Sequence, residues 1–165
     1  MAVAKRKEHD KGWQASLRLG FRVAGRRTVL AERQRCGPLG VQRAFYPEGP
    51  VCHVYLLHPP GGVVGGDSLA VDVTVAANAH ALITTPGATK FYRSAASTAR
   101  QTQCLTVGSD AVLEWLPQEN IFFPGAHVAL ATQVHLERDA RLAIWELHCL
   151  GRPVIDEGFD AGSLD

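Results

Sequence analysis

The chain has no excess of either charge, few aromatic residues and no long apolar run, and each shortage closes off a class of function. Lys and Arg total 17 against 16 Asp and Glu, a formal net charge of +1. No bulk cationic field exists of the kind that gathers nucleic acid or an anionic membrane surface. No stretch approaches the ~18 consecutive apolar residues of a membrane-spanning helix. The four cysteines, Cys36, Cys52, Cys104 and Cys149, stand apart with no C-x-x-C pair, which leaves out the common zinc and dithiol frameworks. H-E-x-x-H is absent, and no serine sits in a G-x-S-x-G elbow, so the best-marked hydrolytic sites are absent as well. Residues 1–11 read as a charged leader with no apolar stretch behind it. A chain without an export signal and with scattered thiols is expected in the reducing cytoplasm.

What is present is alternation. With 46% hydrophobic residues in 165 the chain holds enough apolar surface for one sizeable core. Leu17, Leu19, Phe21 and Val23 alternate with other residues, Arg18 and Arg22 among them. Val71, Val73 and Val75 do the same, as do Val128, Leu130, Thr132, Val134 and Leu136. Period two marks half-buried strands. Three units echo one another: Val73-Thr-Val75 leads through Asn78 to Ala79, Leu105-Thr-Val107 through Asp110 to Ala111, and Val134-His-Leu136 through Asp139 to Ala140. Asn and Asp tolerate the left-handed conformation a tight turn needs. Recurrence at about 30 residues predicts stacked β units over one continuous core. The expected fold is therefore mainly β, with stacked, β-helix-like sheets, hairpin units and at most one or two short helices. Phe91–Gln103, rich in Ala and Ser, reads as a short surface helix or a loop. Trp115 and Trp145 each follow their unit's Ala closely, and both are expected to be buried.

Several constellations carry chemical potential. The segment His58-Pro-Pro-Gly-Gly-Val-Val-Gly-Gly-Asp67 sets two Gly pairs around two valines. It is either an anion cradle of backbone amides or a tight connection passing close to another strand. No Lys-Ser/Thr follows it, so it is not a P-loop. Asp67 is either a turn cap or a functional carboxylate fixed by the backbone with little packing dependent on it. Candidate metal ligands are Cys52 with His53, His58 with Asp67, His80, and Glu146 with His148 and Cys149. On a strand Glu146 and His148 share a face. Lone histidines on strands also serve structural roles. A different reading is a small metal- or phosphate-binding enzyme that uses His58, Asp67, Lys90 and Arg93.

Longer motifs occur in a fixed order: Gly12-Trp-Gln-Ala15, Gly37-Pro-Leu39, Val41-Gln-Arg43, Phe45-Tyr-Pro-Glu48, Cys52-His53, the Leu57–Asp67 loop, Thr84–Arg93, Leu113–Glu119 and Leu150–Pro153. This string resembles the urease accessory protein family UreD, also called UreH. The resemblance implies a β-rich, helix-poor fold and a non-enzymatic role with no catalytic residue and no resident cofactor. It implies binding to the urease structural subunits and to UreF, recruitment of the GTPase UreG, and passage of Ni²⁺ through an internal, water-filled tunnel. By motif, Asp67, Thr89 and Glu146 fall on the positions implicated in that nickel path, and His53 and His58 are further candidate ligands. The resemblance covers residues 12–165 as the N-terminal part of a single domain, and relatives usually continue beyond it. A stack without a closing layer exposes apolar side chains and ladder groups. The chain alone is therefore expected to be oligomeric or poorly soluble and not to activate urease.

Overall fold

The computed structural model describes residues 12–95 and 97–165; the leader at residues 1–11 lies outside them. The first two strands, β1 (Gln14–Ala24) and β2 (Arg27–Cys36), form an antiparallel hairpin. A two-residue strand β3 (Gly40–Val41) pairs antiparallel with β4 (Cys52–Leu57). From β4 onwards the chain coils. It runs through β5 (Ser68–Val75), β6 (His80–Thr84), β7 (Thr89–Phe91) and β8 (Ala99–Val107). It continues through β9 (Val112–Trp115), β10 (Asn120–Phe122), β11 (Ala126–Leu136), β12 (Arg141–Ile144), β13 (His148–Leu150) and β14 (Gly162–Leu164).

Strands that share a side of the coil stack in parallel, apart from β2 and β3, which pair antiparallel at the sheet edges. The long side is ordered β14-β11-β8-β5-β1-β2, the second β12-β9-β6-β4-β3, and the short side β13-β10-β7. The result is a three-sided β-solenoid whose inward residues form one core. Leu19, Val73, Leu105 and Val107 are fully buried in it, as are Ile83 and Leu113 from the second side. On the short side Phe91 lies over Phe122 with ring centroids 5.1 Å apart and planes at 8°. This places two large apolar side chains in register across one rung.

The strand-turn-strand units of the sequence are the corners of this coil. Successive strands such as β5 and β6 belong to different sheets, so the turn changes sides and does not close a hairpin. At each corner an amide bonds back three residues: Ala79 N–H to the Ala76 carbonyl at 3.1 Å, Ala111 to Gly108 at 3.1 Å and Ala140 to Glu137 at 3.2 Å. The third turn residue is left-handed each time, with φ of 61° at Asn78, 56° at Asp110 and 58° at Asp139. Corners also bond to one another, Asn78 N–H to the Ser109 carbonyl at 3.0 Å and Asp110 N–H to that of Arg138 at 3.3 Å. A hairpin and a corner share the same turn chemistry. What separates them is whether the following strand finds its partner one coil away, which short-range pattern does not encode.

Two other expectations change. Phe91–Gln103 contains the end of β7, a connection and the start of β8, with no helix among its described residues; Ala99, Gln103 and Leu105 face inward on one side of the strand. Trp115 is 3% exposed, but Trp145 is 48% exposed. Two causes act: Ile144, not Trp145, pairs with Trp115, so Trp145 falls on the opposite face, and β12 ends its sheet, which leaves even Ile144 41% exposed. Its indole N–H donates to the Pro117 carbonyl at 2.8 Å. The one helical turn in the described residues is a 3-10 turn at Pro153–Ile155, and no helix is long and apolar enough to cross a membrane.

The corner geometry sets a clear test. Asp110→Val places a β-branched residue at positive φ and should lower stability by roughly 1–2 kcal/mol, whereas Asp110→Gly should stay within about 0.5 kcal/mol. Urea denaturation of the two variants beside the parent separates these outcomes.

Candidate functional site

The Gly-rich loop forms the short side of the first coil. Val63 stands in for a strand, its N–H donating to the Lys90 carbonyl at 2.8 Å while Tyr92 N–H donates to the Val63 carbonyl at 2.8 Å. Glycine is required because neighbouring chain lies against it: a side chain at Gly62 would meet the Tyr92 ring, and one at Gly65 would meet Ser94. The loop is thus a tight connection. Asp67 anchors it. This carboxylate is 2% exposed and accepts from Trp13 N–H at 2.7 Å and Val64 N–H at 2.9 Å. It ties β1's approach to the loop, and the backbone at both ends depends on it.

Inside the coil is a hollow with about 70 Å³ of room for water, enough for a few molecules. Leu56, Leu69 and Val71 wall it, and His58, Thr89, Gln101, Gln103, Asn120 and Glu146 give it a polar lining. The polar residues are set by register. Thr89, Asn120 and His148 occupy equivalent places on β7, β10 and β13, so one polar side chain follows another up the short side. Glu146 is held from several directions: Gln103 Nε2 donates to its Oε1 at 3.1 Å and Thr132 Oγ1 at 2.8 Å. His148 Nε2 lies 3.7 Å from its other oxygen. Two ring nitrogens on this lining, His58 Nε2 and Trp115 Nε1, are buried without a protein partner. Buried polar atoms of this kind call for water or a ligand in the space they face.

A second hollow of about 170 Å³ lies at Gly61, Gly62 and the Thr85–Thr89 turn and shares Leu56, His58, Thr85 and Thr89 with the first. His58 and Thr89 therefore stand between the two spaces. Burial holds the His58 imidazole below its ordinary value of 6.5, and the Asp67 charge partly opposes this. A neutral imidazole presents a lone pair, the form in which histidine binds metal.

Of the residues singled out from sequence, His58, Thr89 and Glu146 come together on this hollow. Asp67 does not line it and acts on it through the loop. His53 is on the other face of β4, where it packs beside Phe45 with ring centroids 5.5 Å apart and lies 3.6 Å from Glu48. Lys90 and Arg93 are exposed, on the outside of the coil from His58. Gln101, Gln103, Asn120 and Trp115 are polar lining that the sequence reading did not select. Their signal was an inward position on an alternating strand, which is visible only once the strand is known. Among the described residues no three His, Cys, Asp or Glu side chains converge to hold a metal. The lining offers one imidazole, one carboxylate, and hydroxyl and amide groups.

The fold is a three-sided β-solenoid whose axis holds a small hollow with a polar lining. Comparison with known proteins places the chain in a family. The model of the family UreD urease accessory protein matches residues 14–165, and the chain belongs to that family. It is 58% identical to the urease accessory protein UreD of Klebsiella aerogenes over 154 residues, 93% of this chain and 57% of that relative. For the same protein of Aliivibrio fischeri (strain ATCC 700601 / ES114) the identity is 57% over 153 residues, 93% of this chain and 53% of the relative. For that of Escherichia coli it is 56% over 153 residues, 93% and 55%. The chain thus spans little more than half the length of these curated relatives. That family is named for urease accessory proteins, and the groups of the small-enzyme reading do not meet at one site, since Lys90 and Arg93 are exposed and Asp67 does not line the hollow with His58.

Asp67→Ala leaves two amides without their acceptor and should cost at least about 1–3 kcal/mol, seen as an earlier urea midpoint. His58 gives a pH dependence. The unfolded chain takes up this proton near 6.5 and the folded chain only at lower pH, so folding excludes a proton in between. Stability should therefore fall as pH drops below 6.5, until the folded value is passed. His58→Gln should make that decline shallower, as measured by thermal melts across the window.

Proposed function

We propose that this chain works in urease maturation as a scaffold that conducts nickel. It binds apo-urease together with UreF, engages the GTPase UreG through that complex in the cytoplasm, and gives Ni²⁺ a path toward the urease site. The observation that supports the nickel path is the hollow itself, where His58, Thr89, Gln103 and Glu146 face space with room for water. Each is a modest ligand for a borderline divalent ion: one neutral imidazole, a hydroxyl, an amide and a single carboxylate. A cluster of thiolates or several carboxylates would retain the ion, whereas a thin lining with water between its members lets it move on. Glu146 supplies the one negative charge among these four, and Gln103 and Thr132 aim it.

The test is co-expression with the urease subunits and the other accessory proteins, followed by metal analysis of the purified urease. Glu146→Gln and Thr89→Val should leave the amount of co-purified UreF unchanged and lower urease nickel by roughly tenfold, the scale of altered metal ligation. Parent-level nickel in both variants would refute the path while leaving the scaffold role standing.

A further inference from the structure

The motifs Val41-Gln-Arg43 and Phe45-Tyr46 take no part in the hollow. From them, Gln42 to Tyr46 form one wall of an open groove on the outside of the coil, with Tyr55 of β4 beside it, and β2 forms the other. The main part of the groove measures about 790 Å³ and leads into a second part of about 360 Å³; the two share Gln42, Arg43, Ala44 and Tyr46. Arg27 and Arg33 enter from β2 and Arg43 from the opposite wall. No Asp or Glu lines either part. Among the described residues none of these three guanidinium groups is in an ion pair. Glu48, close by in sequence, lies instead 3.6 Å from His53. Three arginines along one groove without a carboxylate make it positively charged, a complement to an anionic partner.

The shape narrows the partner. β2 ends the six-stranded sheet and has only β1 as a neighbour, and from Ala31 to Cys36 it is exposed. An edge of this kind offers alternate backbone donors and acceptors to an added strand. The aromatic walls are already engaged. The Arg27 guanidinium lies over the Tyr46 ring at 4.4 Å, and Phe45 stacks on Tyr55 with centroids 5.2 Å apart and planes at 22°. These ring faces are not free platforms for unstacked bases, as single-stranded nucleic acid needs, but they give a firm apolar wall for side chains. We infer that the groove between β2 and Gln42–Tyr46 docks an extended, acidic peptide segment of a protein partner along the β2 edge, with its carboxylates on Arg27, Arg33 and Arg43. This does not rest on the nickel path.

The probe is a fluorescein-labelled peptide of about ten residues in which Glu alternates with Leu and Val. Controls are the same peptide with Lys for Glu, and oligothymidylate. The acidic peptide should bind saturably in anisotropy titrations with the whole chain at ~50 mM salt and weaken as salt is raised to ~500 mM. It should slow hydrogen exchange in β2 at Ala31–Gln34. The pair Arg33→Glu and Arg43→Glu, which leaves the Arg27–Tyr46 contact in place, should weaken binding at least about tenfold without lowering the melting temperature. If the double variant melts early, Arg43→Gln alone should still weaken binding several-fold at the parent's melting temperature. Equal binding of the Lys peptide, competition by oligothymidylate, no binding at low salt, or affinity unchanged by the substitutions would each overturn the inference.

Discussion

Everything in this molecule depends on its corners. At Asn78, Asp110 and Asp139 the backbone turns through a left-handed residue, and it does so at the same point of each coil. The turn sends each strand onto a new side, so strands stack on the previous coil and not on their sequence neighbours. The corner amides also bond to the carbonyls of the next corner, which fixes the register of coil on coil. Once register is fixed, alternation does the rest on the inner rungs: Leu105 meets Val73 and Leu113 meets Ala81, whereas on the last rung Val134 and Leu136, in register with Leu105 and Val107, are exposed. A slip of one residue would turn the whole inward set to solvent.

The hollow is a by-product of the same geometry. The short side offers only three-residue strands, β7, β10 and β13. Of each, the last residue on the first two rungs is a phenylalanine that fills the axis, and the first is Thr89 or Asn120, too small and too polar to fill it. Space and hydrogen-bonding capacity are thus left in one place. The anchored loop above it, with Asp67 holding Trp13 and Val64, brings His58 to the rim. Polar groups in a core are ordinarily a cost unless paired. Here Gln103, Thr132 and Glu146 pair with one another, while His58 Nε2 and Trp115 Nε1 stay open to the space.

The strands of the long side were legible because alternating apolar residues survive any topology; Val71, Val73 and Val75 would read as a strand in a hairpin or a coil. The corner residues were legible for the same reason. What the sequence did not show was the third dimension of the pairing. Trp145 looked equivalent to Trp115 by spacing from an Ala, and a single-residue offset reversed its face. Strand β8 was obscured by the small and polar residues at its start, and Gln101 and Gln103 were hidden with it. At the site, His58, Thr89 and Glu146 were accessible through chemistry and resemblance. Asn120 and Trp115 were not, because nothing in a lone polar or aromatic residue tells which way it points. Asp67 was visible as a carboxylate after a Gly-Gly turn, but its two backbone partners come from Val64 and from Trp13, and the second lies 54 residues away.

Parallel stacking gives the polar lining a fixed unit of length. Thr89 and Asn120 of the lining, and the exposed His148 beyond them, are successive rungs of one ladder, and neighbouring strands lie about 4.8 Å apart. The reach of the lining along the axis is therefore counted in whole coils, in the manner of a ruler marked at every turn. Gain or loss of one complete coil changes that reach by one mark and keeps every face in phase. An insertion of any other size inside a strand shifts the phase instead. In such a fold the coil, rather than the residue, is the natural step by which length can vary.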